Sequence, residues 1–363
     1  MDDGTHRGVS QLLARAAAAD LRADHRLVVA IDDFFLADEA RLDERTRAAL
    51  GRTLAALVGA VETAVTRHAA RLLATRDARE LSAALDAGGA PVLERLVSAG
   101  LVRDAELMRE LLGRVRQDIL VGALPVEAPE DIDRASMLAR LIQHPDTVVS
   151  AAAMALIAAE SRRRGEADAP PSRTDLPAEL HHRLVWWVAA ALRERFAATA
   201  GAALPALDRA LVDAALRSVA AHDESDRLEA AAMRLAAALD AHADELAPLL
   251  AEALADHRPA LFIALIAHAI GLDHADAREI VLDPDGDRLW LVLRALEIDR
   301  ASIARIGLAL SEADPRRNLD IFAETLEDVA ATPPAEARAA LAQLLLHPDY
   351  RAAMLALGRG ANT

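Results

Sequence analysis

The sequence contains no cysteine and no lysine; all 41 basic residues among its 363 are Arg. Without Cys, disulfides, thiolate metal sites and Cys nucleophiles are excluded. Without Lys there is no Schiff-base residue, no phosphate-loop lysine and no Lys general base. Aromatic residues are scarce, at 2%, while apolar residues reach 53%. That aliphatic, alanine-rich supply favours packed helices over sheets, where Val, Ile, Tyr and Phe concentrate. A formal charge of -16 gives no long-range attraction to DNA, RNA or an anionic membrane, so the expected partner is a protein, a second copy of the chain included. No basic-then-apolar segment opens the sequence, and runs such as 259–266 fall short of the roughly 18 residues that span a bilayer. A cytoplasmic location is expected. A chain of this length buries roughly 75% of its unfolded surface and needs no metal or cofactor to fold.

The pattern is clearest from Ile263 to Leu310, where four apolar segments are separated by short joints bearing Asp and Gly. Leu289, Val292, Leu293 and Leu296 fall at i, i+3, i+4 and i+7, and Ile303, Ile306, Gly307 and Leu310 repeat the spacing. Each set predicts one buried helical stripe. Gly271 can close a helix in the left-handed conformation, while Asp273 and Asp299 can cap the helices that follow.

The same reading extends along the chain. Two short helices are expected at 7–22 and 25–36, the second ending in Ile31, Phe34, Phe35 and Leu36 as a buried cluster. A long helix follows from about 43 to 73, with Leu50, Leu54, Leu57, Val58, Val61, Val65 and Leu72 on one face. Shorter helices end at Gly88 and Gly100. A helix, His-Pro-Asp, helix device appears at 144–146 and again at 347–349. Asp314 before Pro315 and Thr332 before Pro333 read as helix starts. Residues 165–175 contain Pro170 and Pro171 and no apolar side chain larger than Ala, which predicts a linker. The expected organisation is an N-terminal helical module, 1–164, and a C-terminal helical-repeat module, 176–363.

The segments AIGLDHADAREIVLDPDGDRLWLVLRALEIDRASIARIGLAL at 269–310 and IDDFFLADEARLDERTRAALGRTLAALVGAVE at 31–62 resemble an uncharacterised bacterial family of helical proteins, a domain of unknown function. The His-Pro-Asp units are similar to HEAT-type repeats, with Ser150 where such repeats often carry a basic residue. The resemblance implies an all-α, HEAT-like α-solenoid with a helical N-terminal part, and no catalytic residue.

Several constellations invite chemistry. Asp283, Asp285 and Asp287 alternate like calcium ligands, but counting from Asp283 puts Arg288 where the loop needs Gly and Arg294 where it needs Glu. A helix-to-helix turn is expected instead. His222-Asp223, with His181 and His182 upstream, is similar to the ligand pairs of all-helical metal-dependent phosphohydrolases. Its polar continuation, Glu224 to Asp226, reads as a loop. His268 and His274 straddle the break at Gly271 and are expected apart. Arg162, Arg163 and Arg164 read as a solvated helix end rather than a phosphate site. Trp186 and Trp187 are adjacent on a helix and so point about 100° apart, making them the candidate protein-interaction residues if either is exposed. The functional expectation is a non-enzymatic scaffold or regulatory protein that binds a protein partner. The alternative is an all-α metal-dependent hydrolase or small-ligand binder with a pocket between helices.

Overall fold

The computed structural model describes residues 26–28, 30–31, 42–75, 78–89, 91–125, 135–168 and 174–360. The helix expected at 7–22 and the cluster Phe34, Phe35 and Leu36 lie outside the described residues. Among those described the chain is all-α, with 17 helices and no strand. It forms two compact units. One, organised on the helix Glu44–Ala74 (α1) and here called the α1 unit, comprises Leu27–Val115 and Ala158–Ala230. The other, organised on the helix Pro259–Ile270 (α11) and called the α11 unit, comprises Met1–Arg26, Arg116–Ile157 and Ala231–Thr363.

Besides α1, the α1 unit contains α2 (Arg79–Ala87), α3 (Val92–Ser98) and the first part of α4 (Ala105–Ala123). The later part of α6 (Thr147–Asp168), together with α7 (Ala178–Ala200) and α8 (Leu204–Ala220), completes it. Asp43 caps α1 by accepting the amide of Thr46 at 2.9 Å, so the helix starts where the sequence places its cap. At 31 residues it is about 46 Å long. Leu50, Leu54, Leu57, Val58, Val61 and Val65 are all buried, and Leu73 rather than Leu72 continues the stripe, four residues beyond buried Ala69. α1 packs against α2, α7 and α8, and α7 also packs against α3 and α8. The predicted linker is helical as far as Asp168, and its far end is anchored by buried Thr174 just before fully buried Leu176.

The α11 unit carries α5 (Met137–Ile142), the start of α6, and most of α9 (Leu228–Leu239). It continues with α10 (Ala243–Ala255), α11 itself, α12 (His274–Leu282), α13 (Asp287–Ala295), α14 (Arg300–Ala313), α15 (Leu319–Ala331), α16 (Pro334–Ala340) and α17 (Pro348–Gly360). Leu261, Phe262, Ile263, Leu265 and Ile266 of α11 are all at most 2% exposed, so this helix is apolar all round and is enclosed. Its neighbours are α10, α12 and α13. α13 is enclosed as well: beyond the expected stripe it buries Trp290 and Leu291, and it packs on α15 and α16. Two arginines fasten those contacts, Arg294 donating to the Thr332 carbonyl and Arg338 to the Ala295 carbonyl, both at 2.7 Å.

Caps account for most boundaries here. Asp273 accepts from the Asp276 amide, Asp299 from those of Ala301 and Ser302, and Gly271 closes α11 at φ 81°. One start differs from expectation. Asp314 accepts from the Arg316 amide at 3.1 Å, which makes a local turn, and Asn318, four residues after Asp314, caps α15. Thr332 terminates α15, and Pro333 stands at the N-cap of α16. The two His-Pro-Asp turns share a hydrogen bond: Nδ1 of His144 accepts the Asp146 amide at 3.2 Å, and Nδ1 of His347 accepts the Asp349 amide at 3.3 Å.

Among the described residues α1 is long and apolar enough to cross a membrane, and α11 with α12, bent by 115°, meets the same test as a broken span. Leu50, Leu54, Leu57, Val58, Val61 and Val65 of α1 and Leu261, Phe262, Ile263, Leu265 and Ile266 of α11 lie in the cores just described.

Candidate functional site

The α1 unit holds a cavity of about 470 Å³ between α1, the end of α6, α7 and α8. Its room comes from small side chains, Ala60 and Ala64 on α1, Ala159 on α6, Ala214 on α8 and Ala221 just after it. On α1 the i, i+4 and i, i+3 spacings of Arg67, His68 and Arg71 put all three on one side of the helix, and on α8 Arg217 and Ser218 both line the cavity. Six arginines and three aspartates line the cavity, in a chain where acids outnumber bases 57 to 41.

The deeper arginines are neutralised. Arg163 pairs with Glu229 at 2.8 Å, and Asp175 lies 3.9 Å from Arg163 and 3.8 Å from Arg114. Arg227 pairs with Glu110 at 2.9 Å. Burial and the neighbouring Glu229 carboxylate push the Asp175 carboxyl up, against the pull of these arginines. Arg162 donates to the Asp226 carbonyl at 2.8 Å. Arg162 and Arg163 therefore have structural partners, a role that the sequence reading of a solvated helix end did not provide.

His181 and His222 meet at the cavity wall, their rings stacked with centroids 4.1 Å apart. A carbonyl can only accept, so Nε2 of His181 carries the proton that it donates to the Ser218 carbonyl at 3.3 Å. Its Nδ1 then accepts from the Thr174 hydroxyl at 2.6 Å. By the same logic Nε2 of His222 donates to the Leu176 carbonyl at 2.9 Å. Burial first, and His222 beside it, lower the His181 pKa to about 4, so this imidazole is neutral at pH 7. Both rings are thus engaged in hydrogen bonds, His181 buried and His222 half-buried. The Asp223 side chain accepts the Ser225 amide at 2.9 Å. Among the described residues no group of three or more His, Asp or Glu is placed to hold a metal ion.

The remaining sequence candidates are dispersed. Asp283 and Asp285 both bind Arg26, and Asp283 is also 3.4 Å from Arg288, so these acids serve arginines in the turn before α13. His268 pairs with Asp240 at 2.9 Å, whereas His274 is buried. Trp186 and Trp187 are both half-buried on α7. Nε1 of Trp186 donates to Nε2 of His182 at 3.1 Å, with the rings edge to face.

A second exposed feature lies on α17. Tyr350, Met354 and Leu357 are 58%, 41% and 77% exposed, and their spacing of i, i+4 and i+7 places them on one helical face. Arg351, on the adjoining face, pairs with Asp276 of α12. Sequence inspection missed this stripe because three apolar residues at helical spacing look the same whether they face a core or solvent.

The sequence profile of a bacterial family, described as "Uncharacterised protein conserved in bacteria (DUF2336)", matches residues 131–344. The chain belongs to the DUF2336 family. The DUF2336 match contains the 269–310 segment that carried the resemblance, and it takes in the α7 and α8 walls of the cavity; α1 and α17 lie outside it. No curated protein and no solved structure matches the chain.

Proposed function

We propose that this DUF2336 protein is a non-enzymatic helical-repeat scaffold or regulatory protein that acts by binding a protein partner. The observation that carries the reading is the apolar stripe of Tyr350, Met354 and Leu357, exposed on α17. An apolar face on a helix is stabilised by cover, and aromatic and Met side chains are the residues enriched where proteins meet. The acidic charge of the chain fits a protein partner better than a nucleic acid. A HEAT-like organisation is supported by the turn device shared at His144 and His347 and by the serial packing of α10 on α11 and α11 on α12. Trp186 and Trp187 are the candidate anchors of a second contact surface, their half-burial leaving part of each ring available.

The test is crosslinked affinity capture from native lysate. The expected result is a protein retained by the wild-type chain and lost from the triple variant Tyr350→Ser, Met354→Ser, Leu357→Ser, with melting nearly unchanged because all three side chains are exposed. Equal capture by the triple variant would remove the stripe as the docking surface.

A further inference from the structure

We propose that the cavity of the α1 unit binds a small ligand bearing a phosphoryl group, seated against Arg67, Arg71 and Arg217. The site belongs to the other unit from α17 and is independent of the partner-binding reading. Arg163 and Arg227 are ion-paired with buried carboxylates, but among the described residues no carboxylate lies within ion-pair distance of Arg67, Arg71 or Arg217.

These three cations are brought together by the fold. Arg67 and Arg71 are four residues apart on α1, a spacing at which like charges repel, and the Arg71 side chain turns back to the backbone, its Nε donating to the Arg67 carbonyl at 3.2 Å. Arg217 arrives from α8, which packs against α1. Their convergence is registered by His68: after its burial, Arg217 and then Arg71 hold its pKa below the ordinary value, opposed by Asp213. Arg71 and Arg217 each stand in the last turn of a helix, where a cation offsets the negative end of the dipole. That preference does not extend to Arg67, a full turn earlier, nor does it explain why positive charge from two helices is gathered in an acidic chain.

A ligand that neutralises all three stabilises the arrangement. Guanidinium forks match phosphate oxygens two at a time, and a phosphate ester brings a charge near -2 where a carboxylate brings -1. Val61, Ala64 and Ala214 supply an apolar wall for an organic body, and the volume falls within the range of small-molecule sites.

The experiment uses the full chain, with phenyl phosphate and inorganic phosphate as probes in calorimetric titration, ionic strength being held constant with sodium chloride. Saturable binding is expected, tighter for phenyl phosphate. Arg67→Gln, Arg71→Gln and Arg217→Gln are each expected to weaken it about tenfold, the scale of one charge-assisted hydrogen bond. Arg52→Gln, exposed elsewhere on α1, should leave it unchanged. The altered arginines are exposed, so the variants should keep the wild-type fold; a titration of His68 by NMR gives an independent readout in the unaltered chain. Its pKa should rise when phenyl phosphate is bound. Vesicles of phosphatidic acid in phosphatidylcholine distinguish the two sources of the phosphoryl group. Sedimentation with vesicles that is lost in the three variants assigns it to a lipid headgroup, and phenyl phosphate binding without sedimentation assigns it to a soluble ester. Absence of binding to all probes, or binding that the three arginine variants leave intact, would overturn the proposal.

Discussion

Replacing Gly307 by Ala sets helix propensity against packing, and the structure decides the sign. In an open helix interior Gly→Ala stabilises by up to about 1 kcal/mol. At Gly307 the added Cβ would stand 2.0 Å from Cζ of Phe322, 2.3 Å from Cε1 and 2.7 Å from Cε2, far inside the contact distance of roughly 3.5 to 4.0 Å between carbons. The ring has little room to retreat. It is 7% exposed and lies against Trp290, with centroids 4.6 Å apart. Overpacking of a closed core costs about 1 to 3 kcal/mol, and so close an approach belongs at the upper end. Subtracting the propensity gain leaves a net loss of about 1 to 2 kcal/mol. Gly51 and Gly59, helical on α1 with nothing within 4 Å of where an added Cβ would lie, should instead gain stability on the same substitution. Equilibrium denaturation of the three variants measures both signs. Phe322→Leu combined with Gly307→Ala should recover part of the loss, a non-additivity expected of side chains in contact. A Gly307→Ala protein as stable as Gly51→Ala would refute the packing around α14 and α15.

Two further outcomes follow from the α1 unit. The folded His181 pKa near 4 lies below the unfolded value of about 6.5, so the stability contributed by neutral His181 is present above pH 6.5 and is lost as pH falls towards 4, by about 3 kcal/mol in all; NMR titration that shows His181 protonating near pH 6.5 in the folded protein would contradict its burial. Trp186→Ala and Trp187→Ala should each cost about 2 kcal/mol, below the roughly 3 to 5 of a fully enclosed aromatic, and should weaken association if these rings are anchors; a full core penalty in denaturation for both would withdraw them as interface residues.

The helices were legible in the sequence where caps and stripes coincide. Asp43, Asp273, Asp299 and Gly271 stand at helix ends as expected, because their chemistry is local. The start of α15 was misplaced because Pro315 after Asp314 and Asn318 before Leu319 offer the same local signal, and the choice is made by Asp314 turning onto the Arg316 amide. The enclosure of α13 was hidden for a different reason: Trp290 and Leu291 are buried by α15 and α16, neighbours that periodicity cannot supply. His181 and His222 were singled out together in the sequence, and the fold stacks them, but their carbonyl partners come from residues that no spacing rule connects to them. The arginines of the cavity were least legible. Arg67, Arg71 and Arg217 lie on helices separated by more than a hundred residues, and each alone reads as a solvated cation.

The central claim, partner binding through α17, is tested most directly by site-specific photocrosslinking in native lysate. A photoreactive side chain placed at Tyr350 or Leu357 should label a discrete protein, while the same group at Ala352, exposed on the other side of the helix, should label none. Equal labelling from both faces, or none from the Tyr350 and Leu357 positions, would contradict the account.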